Sequence, residues 1–120
     1  LMRGKIFMPK KDKVDEILDR LAVDRNSIGG KALRNAVAVC VEDVEFEYKV
    51  TKLYADTAEK LSKAVSTIER EIRSAIRKSW TDGDPALLKE MLPAHYGKTE
   101  KPPVNALYIA AAAEWIRLNC

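Results

Sequence analysis

Apolar residues recur at helical spacing along most of the chain, and short polar stretches separate them. The first run has the i, i+3, i+4, i+7 spacing of an amphipathic helix and consists of Val14, Ile17, Leu18 and Leu21. Asp12 is a candidate cap for this helix. A second run covers about residues 31–44, and Gly29 and Gly30 predict a break before it. Cys40 belongs to the second apolar stripe, which predicts a small buried side chain rather than a reactive thiol.

Four more helical segments follow. The apolar pattern places them at about residues 50–61, 65–80, 85–92 and 105–118. Asp84 followed by Pro85 is a typical helix start, and Asn105 is a candidate cap for the last helix. Trp80 and Trp115 are predicted to anchor helices in the core. Since no segment has a convincing strand pattern, the chain predicts an all-α fold of about six helices.

Residues 56–73 have the spacing of a helix-turn-helix, a motif in which a second helix crosses a first after a sharp turn. Ala58 is small where the two helices would cross, and Ser62 stands where the turn would be. Ile68 and Ile72 would hold the second helix against the core. Unrelated helical hairpins share this spacing, so the motif alone does not establish what the second helix binds.

The fourth helix would be amphipathic in an unusual way, with a cationic outer side. A 100° helical wheel places Ser66, Arg70, Arg73, Ser74 and Arg77 on the face opposite the apolar stripe, with Thr67, Glu69 and Lys78 at its edges. Arginine can donate two hydrogen bonds to guanine, and glutamate can accept one from cytosine N4. The alternative is a solvated helix whose charges pair along one face, such as Glu69 with Arg73. The preceding helix-turn-helix spacing favours a helix that reads DNA bases.

Charge and composition narrow the possible functions. The net charge is +3, and residues 48–80 carry eight basic and four acidic side chains, which predicts one cationic face. One histidine and two cysteines are too few for a zinc finger or a histidine-based catalytic triad. We therefore expect no enzyme activity, no metal and no cofactor. We also expect a cytoplasmic location, because no apolar run approaches the roughly 20 residues that cross a bilayer. Residues 1–12 are predicted to be a basic linker or arm, and residues 13–120 the DNA-binding domain.

Several segments resemble the DNA-binding effector domain of the master sporulation response regulator of endospore-forming bacteria, the stage 0 sporulation protein A family. They are residues 50–54, 58–60, 66–73, 75–76, Trp80, 101–102, 105–110 and 116–118. The resemblance extends over about residues 14–118. It implies a six-helix fold with a central helix-turn-helix that binds short boxes in double-stranded DNA, often as head-to-tail copies on tandem sites. It also implies contact with the sigma subunit of RNA polymerase, and a phosphorylated receiver domain ahead of the effector.

Residue roles follow from the resemblance together with the helical wheel. Glu69 and Arg70 match base-contacting positions of the family, and Arg73 matches a cation near a phosphate or base edge. The expected base contacts are Ser66, Thr67, Glu69, Arg70, Arg73 and Ser74. The expected phosphate contacts are Lys52, Lys63, Arg77, Lys78, Lys101 and Asn105.

The sequence also departs from the family pattern in the recognition helix. Thr67 stands where the family has a base-reading arginine, and Ser74 replaces a histidine. Arg77 and Lys78 make the helix more basic than in the family, and Ala64 lacks a capping hydroxyl. These departures predict a changed DNA box. They also leave open the alternative of a helical protein–protein module, binding a sigma factor or another partner, that has lost specific DNA binding.

Overall fold

The computed structural model describes residues 10–45 and 49–120, and within them the chain forms six helices without strands. They are α1 (Lys10–Arg20), α2 (Ile28–Glu42), α3 (Val50–Leu61), α4 (Val65–Asp82), α5 (Pro85–Met91) and α6 (Asn105–Asn119). The predicted all-α fold is confirmed. Most of the predicted arm, residues 1–9, lies outside the described residues. α1 begins at Lys10, so Asp12 lies within the helix and not at its cap.

α2 is the central helix and packs against α1, α3, α4 and α6. Its inner face is built mainly from small and β-branched side chains, and Ala32, Leu33, Ala36, Val37 and Cys40 have no exposed surface. Small side chains let the neighbouring helix axes approach closely. Cys40 is therefore buried, as predicted. The predicted stripe extends too far, however, because α2 ends at Glu42 and Val44 is half exposed.

The predicted break at Gly29 and Gly30 is wrong. Both glycines lie in the first turn of α2. Ser27 caps this turn, since its side chain accepts a hydrogen bond of 2.9 Å from the Gly30 backbone N–H. A Cβ atom on Gly29 would overlap the backbone carbonyl of Glu71 in α4. A Cβ on Gly30 would overlap the carbonyl of Asp24. The two glycines therefore allow close backbone contact. The sequence alone does not distinguish such a glycine from one that breaks a helix.

α3 and α4 form the predicted helix-turn-helix. α3 ends at Ser62, which has left-handed backbone angles (φ 55°, ψ 46°) and whose N–H bonds the carbonyls of Ala58 and Glu59. Ile68 and Ile72 are fully buried, as expected for the residues that hold α4 against the core. α4 runs two residues beyond Trp80, the predicted end. Ala64 is its N-cap and makes no side-chain capping bond, as the missing hydroxyl predicts.

α5 and α6 form the C-terminal part of the structure, where α6 packs against α1, α2, α4 and α5. The Asp84 side chain accepts a hydrogen bond of 3.0 Å from Ala86 N, and Pro85 occupies the first turn, as predicted. The ring of Trp80 meets Tyr96 edge to face, with centroids 5.1 Å apart, which anchors the end of α4. The predicted cap of α6 is wrong: Val104 is the N-cap, and Asn105 is the first helical residue.

Acidic side chains of α1 and α5 form ion pairs that join neighbouring elements. Asp15 accepts hydrogen bonds from Arg34 of α2, and the Arg34 guanidinium lowers the pKa of this carboxyl below its usual value. Arg25 reaches Asp19 at 3.1 Å, and Arg20 reaches Asp84 at 2.8 Å. The described helices include none that is long and apolar enough to cross a membrane.

We predict that Gly29→Ala destabilises the fold by about 1–3 kcal/mol, the usual cost of forcing an extra methyl into a packed contact. The added Cβ would push α2 away from the Glu71 carbonyl of α4. The midpoint of urea unfolding measures this change. Lys31→Ala, at an exposed position two residues on, is the control and should stay within about 0.5 kcal/mol. A Gly29→Ala protein as stable as the parent would contradict the close contact.

A second prediction concerns the buried hydroxyl pair of Ser79 and Tyr108, whose oxygens lie 2.6 Å apart. Tyr108→Phe should cost about 1–3 kcal/mol, because it leaves the Ser79 hydroxyl without this partner. Ser79→Ala should lower the free energy of unfolding less in the Tyr108→Phe protein than in the parent protein, because the hydrogen bond is already lost. Tyr96→Phe, whose hydroxyl makes no hydrogen bond with the described residues, is the control.

Burial also raises the pKa of the Tyr108 phenol above its ordinary value. Titration of Tyr108 therefore leaves the stability of the fold unchanged at neutral pH, and its burial lowers stability as the pH rises above about 10, the pKa of an unfolded tyrosine. The alkaline loss should be smaller in Tyr108→Phe, and an identical pH profile in parent and variant would contradict it.

Candidate nucleic-acid interface

α4 presents one apolar face to the core and the opposite face to solvent. Ile68, Ile72, Ile76 and Ser79 are buried on the inner side. With 18 residues the helix is about 27 Å long, and with its side chains about 10–12 Å wide. A helix of this width matches the major groove of B-form DNA, which is about 12 Å wide. The dimensions of α4 are therefore compatible with the major groove, as are those of any exposed α-helix.

The cationic side chains of α4 lie on its exposed side. The exposed residues of this face are Ser66, Arg70, Arg73, Ser74, Arg77 and Lys78, while Thr67 and Glu69 are half-buried at its edges. Among the described residues, no ion pair involves an α4 side chain, although acidic residues are paired elsewhere in the fold. The Glu69–Arg73 pair of the solvated-helix alternative is thus not formed. The guanidinium groups remain available to bind an anion.

A groove runs along one flank of α4, between this helix and the loop that precedes α6. Glu69, Arg73 and Arg77 line it on the helix side, and residues 100–106 form the opposite wall. Its volume is about 720 Å³, and Tyr54 of α3 contributes to the lining. Lys101 is exposed on the loop. The structure therefore brings cations from two distant parts of the chain to one groove, which we name the α4–loop groove.

The other flank of α4 faces the connection between α1 and α2. Ser74 and Lys78 line a smaller groove of about 200 Å³ there, together with Glu71 and residues 22–24. Ser74 and Lys78 therefore lie apart from Arg73 and Arg77 across the ridge of the helix. A DNA strand on each side of α4 would meet one of these two sets.

The remaining predicted contacts lie on other elements. Lys63 is exposed in the turn directly before α4. Lys52 is exposed on α3 and pairs with Asp56 at 3.5 Å, a surface ion pair that contributes little to stability.

Asn105 differs from the other predicted phosphate contacts because its side chain faces the interior. It is only 9% exposed, and its Nδ2 donates a hydrogen bond of 3.1 Å to the backbone carbonyl of Glu69. Tyr54 of α3 lines the same groove as Asn105. The Asn105 amide is therefore engaged within the protein, and its contact with a phosphate stays a prediction.

Tyr54 of α3 lies at the site but is absent from the predicted DNA contacts. The side chain is 7% exposed, yet it lines the α4–loop groove. Burial raises the pKa of the Tyr54 phenol further above its ordinary value of about 10. The available signal was a tyrosine, in place of a leucine or phenylalanine, at an apolar position of α3.

A family model described as sporulation initiation factor Spo0A C terminal matches residues 14–116, which is most of the chain and includes all of α2 to α5.

Proposed function

The chain belongs to the family of the Spo0A C-terminal domain, a DNA-binding domain of sporulation transcription regulators, and on this premise we propose that it recognises short DNA boxes by placing α4 in the major groove. The observation that carries this proposal is the exposed cationic face of α4, whose side chains form no ion pair with the described part of the chain. A charged helix that was merely solvated would be expected to pair its own acids and bases along the surface.

Base recognition falls to the middle of the exposed face. Arg70 projects opposite the buried stripe and would donate two hydrogen bonds to guanine O6 and N7. Arg73 lies about one turn further along, and Glu69 beside them would accept a hydrogen bond from cytosine N4. The hydroxyls of Ser66, Thr67 and Ser74 are short, and they would read bases only where α4 approaches the groove floor.

Phosphate binding falls to cations around this face. Lys63, Arg77, Lys78 and Lys101 are exposed on α4 and its two neighbouring loops, and Lys52 is exposed on α3. Contacts of this kind fix the position and orientation of a protein on the duplex without reading sequence. Cations on both flanks of α4 would fix it from both strands.

Thr67 and Ser74 are the positions where the DNA box should differ from that of the family. Thr67 is half-buried at the edge of the outer face, and its hydroxyl is shorter than the arginine that the family pattern has there. One bidentate arginine–guanine contact contributes roughly 1–3 kcal/mol of discrimination. Losing it relaxes the preference for guanine at the facing base pair.

The resemblance also supports two proposals about assembly. Head-to-tail copies of this domain would occupy tandem boxes, and the bound domain would contact the sigma subunit of RNA polymerase. Footprinting on a duplex with one box and on a duplex with two boxes tests the tandem arrangement. Head-to-tail binding predicts that the two boxes together are protected at a lower protein concentration than the single box.

We predict that the double variant Arg70→Ala/Arg73→Ala loses specific duplex binding by at least about 30-fold, since each bidentate contact contributes roughly 1–3 kcal/mol. Its melting temperature should be unchanged, because both side chains are exposed and form no ion pair with the described residues. Fluorescence anisotropy measures the affinity for a duplex selected from a random pool.

The matched control for this experiment is Lys31→Ala/Lys89→Ala, which removes two exposed positive charges from α2 and α5. It should change affinity only slightly. Equal affinity of parent and Arg70→Ala/Arg73→Ala, or a parent protein that binds no duplex, would contradict the proposal and favour a helical protein–protein module.

The salt dependence of binding gives an independent prediction. If Lys52, Lys63, Arg77, Lys78 and Lys101 each neutralise one phosphate, the logarithm of the association constant should fall with the logarithm of salt concentration with a slope of about −4 to −5. Titrations of labelled duplex between low and moderate salt measure this slope. A slope near zero would show that phosphate contacts do not hold the complex together.

A further inference from the structure

We propose that Asn105 and Tyr54 are positioning residues, which hold the Lys101 loop at a fixed place beside α4 so that the two walls of the α4–loop groove bind one DNA backbone as a unit. This inference rests on the proposed function, because it concerns how the DNA-binding surface is assembled. It goes beyond that function, because neither residue needs to touch DNA.

A hydrogen bond of Asn105 joins the start of α6 to α4 behind the groove, and Tyr54 of α3 lines the groove at the same place. The Asn105 amide donates to the carbonyl of Glu69, which precedes Arg70 by one residue and Arg73 by about one turn of α4. Tyr54 is 7% exposed and lines the groove together with Asn105. Asn105 follows Lys101 by only four residues. A displacement of Asn105 would therefore carry Lys101 with it.

A purely structural role would not need these polar groups. A side-chain amide buried to this degree is costly unless it is hydrogen-bonded, and an apolar side chain could fill the same space. Hydrogen bonds differ from apolar contacts in direction, since they weaken steeply away from linear geometry. They therefore fix the register of the loop along α4, which apolar packing alone specifies less sharply.

The loop itself transmits this position from Asn105 to Lys101. Pro102 and Pro103 stand between the two residues and restrict φ to about −65°. On the other side, Lys101 N donates to Thr99 Oγ1 at 3.2 Å, which orders the backbone at Lys101. Apart from the bonds of Asn105, no hydrogen bond among the described residues joins residues 97–104 to α3 or α4. Asn105 is therefore the point at which the loop is attached.

The charges of the α4–loop groove explain why the position of Lys101 matters. Arg73 and Arg77 form one wall and Lys101 lies on the other, so an anionic strand in the groove meets cations on both sides. Glu69 and Glu100 also line the groove, and an anion displaced towards them would be repelled. Holding the loop before binding also removes the entropy cost of ordering it in the complex.

The experiment compares Asn105→Ala, Lys101→Ala and the double variant, using the selected duplex across a salt series. Asn105→Ala should weaken binding several-fold and make the salt slope less steep by about 0.9, the contribution of one phosphate contact. Lys101→Ala should do the same. The double variant should bind within about twofold of Lys101→Ala, because Asn105 acts through Lys101. The proposal would be overturned if the fold-losses of affinity in Asn105→Ala and Lys101→Ala multiplied in the double variant. An unchanged salt slope in Asn105→Ala would also overturn it.

Tyr54→Phe is the second variant, since it removes the hydroxyl and leaves the ring in the core. It should change the salt slope in the same direction as Asn105→Ala. Tyr96→Phe, which lies against Trp80 and away from the groove, is the matched control and should leave the slope unchanged. An equal effect of the two substitutions would show that the Tyr54 hydroxyl has no positioning role.

Amide hydrogen exchange tests the inference without DNA. Asn105→Ala should accelerate exchange at residues 98–101 and 104, while the amides in the middle of α4 keep their protection. Unchanged exchange in the loop would overturn the proposal. A parent protein that binds no duplex would contradict the proposed function instead, and the exchange result would then still decide whether Asn105 positions the loop.

Discussion

The packing of α4 against α2 is the constraint on which the rest of the structure depends. The apolar stripe of α4, with Ile68, Ile72 and Ile76, is buried almost completely. This burial fixes the rotation of the helix about its axis, and rotation decides which side chains face solvent. Gly29 allows the α2 backbone to approach the Glu71 carbonyl closely enough for this contact. The cationic face of α4 is thus a consequence of packing on the opposite side.

The electrostatic design divides the charged residues into two groups with different roles. Acidic side chains of α1 and α5, such as Asp15 and Asp84, are paired with arginines and join neighbouring helices. The arginines of α4 have no such partners among the described residues. A surface that binds an anion must keep its cations free of internal acids, since each internal pair would have to be broken on binding. The modest net charge of +3 therefore conceals a concentrated positive site.

Sequence reasoning succeeded where one physical signal acted alone and was misled where one residue type serves two purposes. The α3–α4 turn was predictable because Ala58 and Ser62 are small at the positions where a helix-turn-helix requires it. Gly29 was misread as a break because the same absence of Cβ permits both a break and a close contact. Asn105 was misread as a helix cap because its partner, the Glu69 carbonyl, lies 36 residues away in sequence.

The sequence by itself determined the helices, the inward and outward faces of α4 and the resemblance to a DNA-binding family. These features are local, because an amphipathic helix repeats every 3.6 residues and needs no distant contact to be recognised. Only the tertiary structure decided that Lys101 stands opposite Arg73 and Arg77, and that Tyr54 and Asn105 lie behind them. The physical reason is that a groove between two elements depends on how they pack, and packing is set by side chains far apart in the chain.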